Sequence, residues 1–407
     1  MPRLLNINSY HYRRGGADVV YLEHARLFES LGWECAYFAM HHPNNLACED
    51  SRHFVDEIQI GHDYSPLQKV VKATQVVYSL EAQRKLRRLI GERRPDVAHA
   101  HNIYHHLSPS ILPELKRAGI PTVLTAHDVK LACPNNKMLA DGRICEACKG
   151  HRYYNVVRRR CVHGSVAASA VIALEAAVNA ALGSWRDNID RIVVPSRFLI
   201  DKLAEWGWAR DRFTYVPNYV DAGALEPAFA PGDYLVYFGR LSVEKGLPTV
   251  VSAAAASGVR VVLVGTGPIE AELRLAVERS GARVEFAGYQ TGEALHRLVR
   301  GSRASILASE WYENAPLGVL ESFAMGKPVI GARIGGIPEM VRDGETGWLF
   351  ESGDVEQLAE RMRRATDASD AEVEAMGRRA RADVEDRYSK ARYVDAMRAL
   401  YHSLGVA

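Results

Sequence analysis

Short apolar runs alternate with longer stretches of helical period along most of this chain. Residues 2–8, 96–101, 121–126, 190–196, 234–240, 261–267, 284–288 and 303–307 each read as a strand, and 329–331 opens another. Strands whose residues are apolar on both faces belong inside a parallel sheet covered by helices. Between them, apolar residues recur at helical spacing over 17–31, 68–94, 166–182 and 317–325. Gly32 and Gly326-Lys327-Pro328 supply stop signals for the first and last of these. From 355 onward the pattern is helical and heavily charged, with a break at Arg387-Tyr388-Ser389 before 391–404. This alternation predicts an α/β protein with parallel sheets.

At 407 residues the chain exceeds what one core usually supports, so two domains are expected. Residues 222–233 (AGALEPAFAPGD), rich in Pro, Gly and Ala, make a linker. The expected division is 1–222, 223–386, and a last segment 387–407. The apolar fraction of 47% is ordinary for a folded protein, and a formal charge of +2 gives no case for nucleic acid as a partner. The first residues read as a strand and not as a secretory leader, so a cytoplasmic location is expected. In that compartment six cysteines are thiols or metal ligands sooner than disulfides.

The candidate chemistry concentrates between 308 and 347. Glu313 follows a predicted strand, and Glu321, eight positions on, lies on the helix after it. In an open α/β sheet ligands bind at the carboxyl ends of the strands, and a helix start offers unpaired N–H groups to an anion. Arg240 and Lys245, in G-R-x4-K-G after the strand at 234–240, place two cations where a phosphate could lie. Gly15-Gly16, between the first strand and its helix, either lets backbone approach a phosphate or simply makes a tight connection. Gly265, in GTG after another strand, is a weaker glycine signal of the same kind.

The order Glu-x7-Glu, GKPVI, GGIPEMV and DGETGWL resembles the donor-binding segment of the retaining family 4 glycosyltransferases of the GT-B fold. The resemblance implies two Rossmann-like domains facing a central cleft, the first binding acceptor and the second the nucleotide sugar, with a final helix crossing back. It implies that Glu313 binds sugar hydroxyls, that Asn314, Ala315, Pro316 and Leu317 give backbone donors, and that Glu321 holds the ribose. By the same resemblance Arg240 and Lys245 meet the donor phosphates, Gly15, Gly16 and Gly265 line the donor site, and Tyr289 lies in the base-contacting loop. His127, after the strand at 121–126, would contact the transferred sugar, with acceptor-side contacts expected at His101, Asn102 and Asp128. The implied reaction is hexosyl transfer from a nucleoside-diphosphate sugar to a glycan, lipid-linked or small-molecule hydroxyl, needing no cofactor and no dedicated protein base. Asn314-Ala315-Pro316 departs from the Gly-x-Gly of many relatives, which leaves the donor sugar open. The alternatives are an epimerase or phosphorylase on the same scaffold, or a non-catalytic sugar-nucleotide-binding subunit.

Cys133, Cys145, Cys148 and Cys161 lie in an insertion at about 133–163. Their C-x2-C core resembles a four-thiolate structural zinc site, with free thiols or disulfides as the other readings. The insertion follows His127 and is expected to shape the acceptor site. Two stretches raise peripheral membrane contact. The cations Arg84, Lys85, Arg87, Arg88, Arg93 and Arg94 are either a solvated helix end or a face for anionic lipid. Residues 166–182 are the most apolar stretch, but Glu175 and Asn179 make it a buried or surface-docked helix and not a span.

Overall fold

The computed structural model describes residues 1–59 and 64–406, so the last residue of the segment 387–407 lies outside the described residues. Two six-stranded sheets, parallel throughout, carry the fold. The first contains β1 (Arg3–Ile7), β2 (Glu34–Phe38), β3 (Val97–Ala100), β4 (Thr122–Thr125), β7 (Arg191–Val194) and β8 (Phe213–Tyr215), in spatial order β2-β1-β3-β4-β7-β8. A small antiparallel hairpin, β5 (Leu139–Ala140) and β6 (Arg143–Ile144), stands apart from it in the cysteine insertion. The second sheet contains β9 (Leu235–Phe238), β10 (Val261–Val264), β11 (Val284–Gly288), β12 (Ala304–Leu307), β13 (Val329–Ala332) and β14 (Gly347–Phe350). Its order, β11-β10-β9-β12-β13-β14, is that of a doubly wound nucleotide-binding sheet.

The helices of the first half are α1 (Gly16–Ser30), α2 (Pro66–Val77), α3 (Leu80–Arg93), α4 (Leu112–Arg117), α5 (Tyr154–Arg158), α6 (Val166–Ala181) and α7 (Arg197–Glu205). Those of the second are α8 (Leu247–Ser257), α9 (Glu270–Ser280), α10 (Gly292–Arg300), α11 (Leu317–Ala324), α12 (Ile337–Met340), α13 (Val355–Asp367), α14 (Asp370–Arg387) and α15 (Lys390–Ser403). The central strands are buried end to end: Val97–Ala100, Val261–Val264 and Val329–Ala332 expose no residue. That accounts for their unbroken apolar runs. The single helix expected over 68–94 is two helices. Tyr78 is extended (φ −157°), and Ser79 caps the second by accepting a hydrogen bond from Ala82 N at 3.1 Å.

The last helix, α15, does return to the first sheet. Tyr393, Met397, Leu400 and Tyr401 bury against Leu4, Phe28, Val97 and Val193. The hydroxyl of Tyr401 is shared by His99 Nδ1 at 2.6 Å and His24 Nε2 at 2.9 Å, and Tyr393 meets His24 Nδ1 at 2.9 Å. The basic end of α3 is partly consumed by carboxylates. Lys85 pairs with Glu81, Arg87 with Glu114, and Arg93 with Asp50 and Glu49.

Candidate active site

Each sheet has one point where neighbouring strands are followed by connections running in opposite directions, and a crevice opens there at the carboxyl ends. In the second sheet that point lies between β9 and β12. Arg240 and Lys245 follow β9, and Glu313 follows β12, so residues 68 apart or more in sequence share one crevice. In the first sheet it lies between β1 and β3, which places Gly15-Gly16 and His101 together, with His127 just after the adjoining β4. The two crevices face one another: Gly16 lies against the Leu317 side chain, an added Cβ falling 3.7 Å from Leu317 Cδ1.

Glu313 is held by three donors on one oxygen. Lys245 Nζ at 2.6 Å, Ser309 Oγ at 2.7 Å and Trp311 Nε1 at 2.8 Å all converge on Oε1. No hydrogen bond to Oε2 is made among the described residues, so that oxygen is left for a ligand. Burial pushes the carboxyl up, but the Lys245 charge and the three hydrogen bonds outweigh it and hold Glu313 below the usual range. Lys245 also lies 5.1 Å over the Trp311 ring. Its position is fixed by Gly246, whose φ of +67° and close approach to the carbonyl of Ala308 leave no room for a side chain: a Cβ would stand 1.9 Å from that oxygen.

Glu321 lies one turn along α11 from Leu317, on the same face. It is partly buried and makes no hydrogen bond or ion pair among the described residues, and burial raises its pKa. Arg240 is exposed and likewise unpaired there. Tyr289, 72% exposed, stands at the end of β11. Gly265 packs its backbone on the carbonyl of Gly239.

The side chain of Asn314 has a role beyond the backbone one expected of its loop. Its Nδ2 donates to Ala126 O at 2.9 Å, and its Oδ1 accepts from Ser196 Oγ at 2.6 Å, so its side chain joins the second half to the ends of β4 and β7. Ala315 O accepts from Asn218 Nδ2 at 2.9 Å. Gly335-Gly336 packs on the backbone of Glu313 and Asn314, where a Cβ would come within 2.0 Å and 1.9 Å of their carbonyl oxygens. Glu339 then caps α7 across the cleft, accepting from Arg197 N at 2.9 Å and from Phe198 N.

On the first sheet His127 is half-buried, with Nε2 2.8 Å from His101 Nδ1 and the two rings stacked at 5.1 Å. Burial brings His127 down to about 3, so the imidazole is neutral at ordinary pH. His101 is not on the acceptor surface. It is wholly buried beneath His127 and stacks on His99 at 4.6 Å, so what it orients is His127. Asp128 is also spoken for, accepting from Lys130 N, Tyr104 OH and Asn136 Nδ2 at 2.8, 3.0 and 3.1 Å. Asn102 bonds through its backbone to Ser9 and to Asn8 Oδ1, a structural tie between β1 and β3.

The four insertion cysteines are all unpaired. Burial, then the neighbouring Cys133, Cys161 and Cys145, push Cys148 up to about 12. Burial likewise pushes the Cys133 thiol up. Among the described residues, however, no three His, Cys, Asp or Glu side chains are arranged to hold a metal. The insertion touches two loops of the second half. Glu146, between Cys145 and Cys148, accepts from Tyr312 OH at 3.2 Å beside Glu313, and Lys137 stands 3.6 Å from Glu244. Tyr312, Ser309 and Trp311 escaped the sequence reading, although all three flank Glu313 within four residues.

The profile described as "Glycosyltransferase Family 4" matches residues 14–223, and that described as "Glycosyl transferases group 1" matches 227–383. The chain belongs to glycosyltransferase family 4. It is 33% identical over 215 residues to the sulfoquinovosyl transferase of Arabidopsis thaliana, covering 48% of this chain and 41% of that protein. It is 23% identical over 348 residues to the alpha-D-kanosaminyltransferase of Streptomyces kanamyceticus, covering 81% and 82%. The chain spans about half the length of several curated relatives it matches. Among solved structures, that of Anabaena HepE in complex with UDP and glucose covers both chains fully with a TM-score of 0.70 at 16% identity. This likeness carries the GT-B fold, two facing parallel-sheet halves, over to this family 4 member.

Proposed function

We propose that this protein is a retaining glycosyltransferase that moves a hexosyl group from a nucleoside-diphosphate sugar to a hydroxyl acceptor. The observation that carries the reading is the Lys245–Glu313 pair at the switch point of the second sheet. One oxygen of Glu313 is saturated and the other free, which suits a carboxylate that grips a sugar hydroxyl. The ammonium of Lys245 has three N–H donors, and Glu313 takes one, leaving two for phosphate oxygens. Arg240, exposed beside it, supplies a second cation. Glu321, unpaired on the next turn, suits the ribose hydroxyls.

When the anomeric carbon–oxygen bond breaks, both electrons go to the leaving diphosphate, and negative charge grows on its oxygens. Arg240, Lys245 and the first N–H groups of α11 stabilise that charge. The acceptor oxygen bonds to the anomeric carbon on the same face, and its proton passes to the departing phosphate oxygen. His127, neutral and fixed by His101, offers Nδ1 to the transferred sugar. A solved relative in structure that holds UDP and glucose supports a nucleotide-sugar donor of this kind.

A panel of uridine, guanosine and adenosine diphosphate sugars, tested for thermal stabilisation, identifies the donor. Proton NMR of the product then reads the anomeric configuration. Stabilisation by none of the panel would overturn the donor reading, and an inverted product would overturn retention.

A further inference from the structure

Helix α6 is built inside out. Its polar residues Ser169, Glu175 and Asn179 are buried, while Val166, Ala170, Leu174, Ala177 and Ala181 face solvent. The inward set has firm partners: Glu175 pairs with Lys130 at 2.7 Å, both side chains almost fully buried, and Asn179 Nδ2 donates to Val77 O at 3.2 Å. The outward apolar face is therefore not an error of register, because rotating the helix would strand a carboxylate and an amide.

α6 lies between α2 and α5, and both continue the same character. α2 buries no residue and exposes Leu67 (75%), Val70 (61%) and Val71. α5 exposes Tyr154 and runs into Arg158, Arg159 and Arg160, all exposed and without a carboxylate partner among the described residues. The three helices together hold one carboxylate, Glu175, and it faces inward. An apolar surface with a cationic margin, and no exposed carboxylate on these three helices, is complementary to a bilayer of anionic lipid, where apolar side chains enter the interface and arginines meet the headgroups. Among the described residues no helix is long and apolar enough to cross a membrane, so the attachment is to the surface.

We infer that α2, α5 and α6 form a docking face for an anionic lipid bilayer. The sequence reading leaves membrane contact open at two stretches: the basic end of α3, where Lys85, Arg87 and Arg93 are paired with carboxylates, and residues 166–182, which fold as α6. The new face stands on the acceptor side: Lys130, clamped by Glu175, donates its backbone N–H to Asp128 at 2.8 Å, next to His127. Docking thus holds the mouth of the cleft at the bilayer surface.

The test is co-sedimentation of the full chain with phosphatidylcholine vesicles, with and without phosphatidylglycerol. Binding is expected only to the vesicles containing phosphatidylglycerol, and it should weaken as salt is raised. Leu174→Glu and Val70→Glu, at exposed positions on different helices, should each abolish it with thermal unfolding unchanged. Replacing Arg158, Arg159 and Arg160 together by Ser should weaken it by roughly a hundredfold. Equal binding to both vesicle types, no binding to either, or undiminished binding by both glutamate variants would overturn the inference. So would a concentration-dependent dimer dispersed by Leu174→Glu, since a second copy would then be the occupant.

Discussion

Lys245 Nζ and Glu313 Oε1 stand 2.6 Å apart, joining the loop after β9 to the loop after β12. The contact is structural and, on the proposed reading, also functional, and mutation separates the two roles. Glu313→Ala and Lys245→Ala are each expected to lower transfer by at least about tenfold, one transition-state contact being worth that much or more. Lys245→Met also strands a buried carboxylate, costing about 2–3 kcal/mol. Adding Glu313→Gln should restore much of that stability but none of the activity. Urea unfolding and turnover measured on these four variants and the unsubstituted protein check this.

The same pair sets an acid limit. Glu313 is held ionised below the usual carboxylate range, so its contribution to stability is complete above the ordinary glutamate value and is lost as pH falls through its lower folded value. Without the Lys245 charge, burial dominates and the carboxyl rises. The acid limb of the pH–rate profile should therefore move to higher pH in Lys245→Met. An unmoved limb would mean that another group sets it.

Buried histidines make the fold sensitive to mild acid. His24 and His127 are brought down to about 3 by burial, and His11 to about 4. Below their ordinary value of about 6.5 the unfolded chain takes up protons that the folded protein refuses. Stability should thus fall as pH drops from about 6.5 toward 4, by up to about 1.4 kcal/mol per pH unit for fully buried His24. Denaturation at pH 7, 6 and 5 reads the slope. The same neutrality predicts a His127 ring whose NMR shifts stay constant from pH 8 to about pH 5.

Tyr401→Phe removes one hydroxyl that serves two imidazoles, His24 and His99. Both nitrogens are buried, so the loss should cost about 2–4 kcal/mol, well above that of a single exposed hydrogen bond. A loss below about 1 kcal/mol would show that water replaces the hydroxyl.

Thiol reactivity discriminates the states of the insertion. With Cys133 and Cys148 buried and pushed up in pKa, they should react with a thiol reagent more slowly than Cys145 and Cys161 in the native protein. Uniformly blocked thiols that release one zinc per chain on modification would instead establish the four-thiolate site.

The strands that run through the middle of each sheet were legible because burial on both faces leaves an apolar run with no alternation to confuse it. β2, β8 and β14 were not named, and each lies at a sheet edge, where one side of the ladder is open and a run such as ECAYF mixes polar with apolar residues. The loops of the site were legible through their chemistry: glutamate, lysine and glycine standing after strands. What could not be read was which residues meet. His101 looked like a surface contact because its strand ends at the cleft, yet Tyr21 and His24 of α1 pack against its ring and His127 covers it. Inversion of α6 was invisible for the same reason, because the partners of Glu175 and Asn179 lie 45 and 102 positions away.

Asn314 gives the molecule a latch. Its amide spans the two lobes immediately beside the carboxylate proposed to grip the sugar, where a glycine would remove both of its bonds across the cleft. Any displacement of one lobe against the other must stretch or break these two bonds and pull on the Glu313 loop, so on the proposed reading the spacing of the lobes and the grip on the donor sugar are tied together.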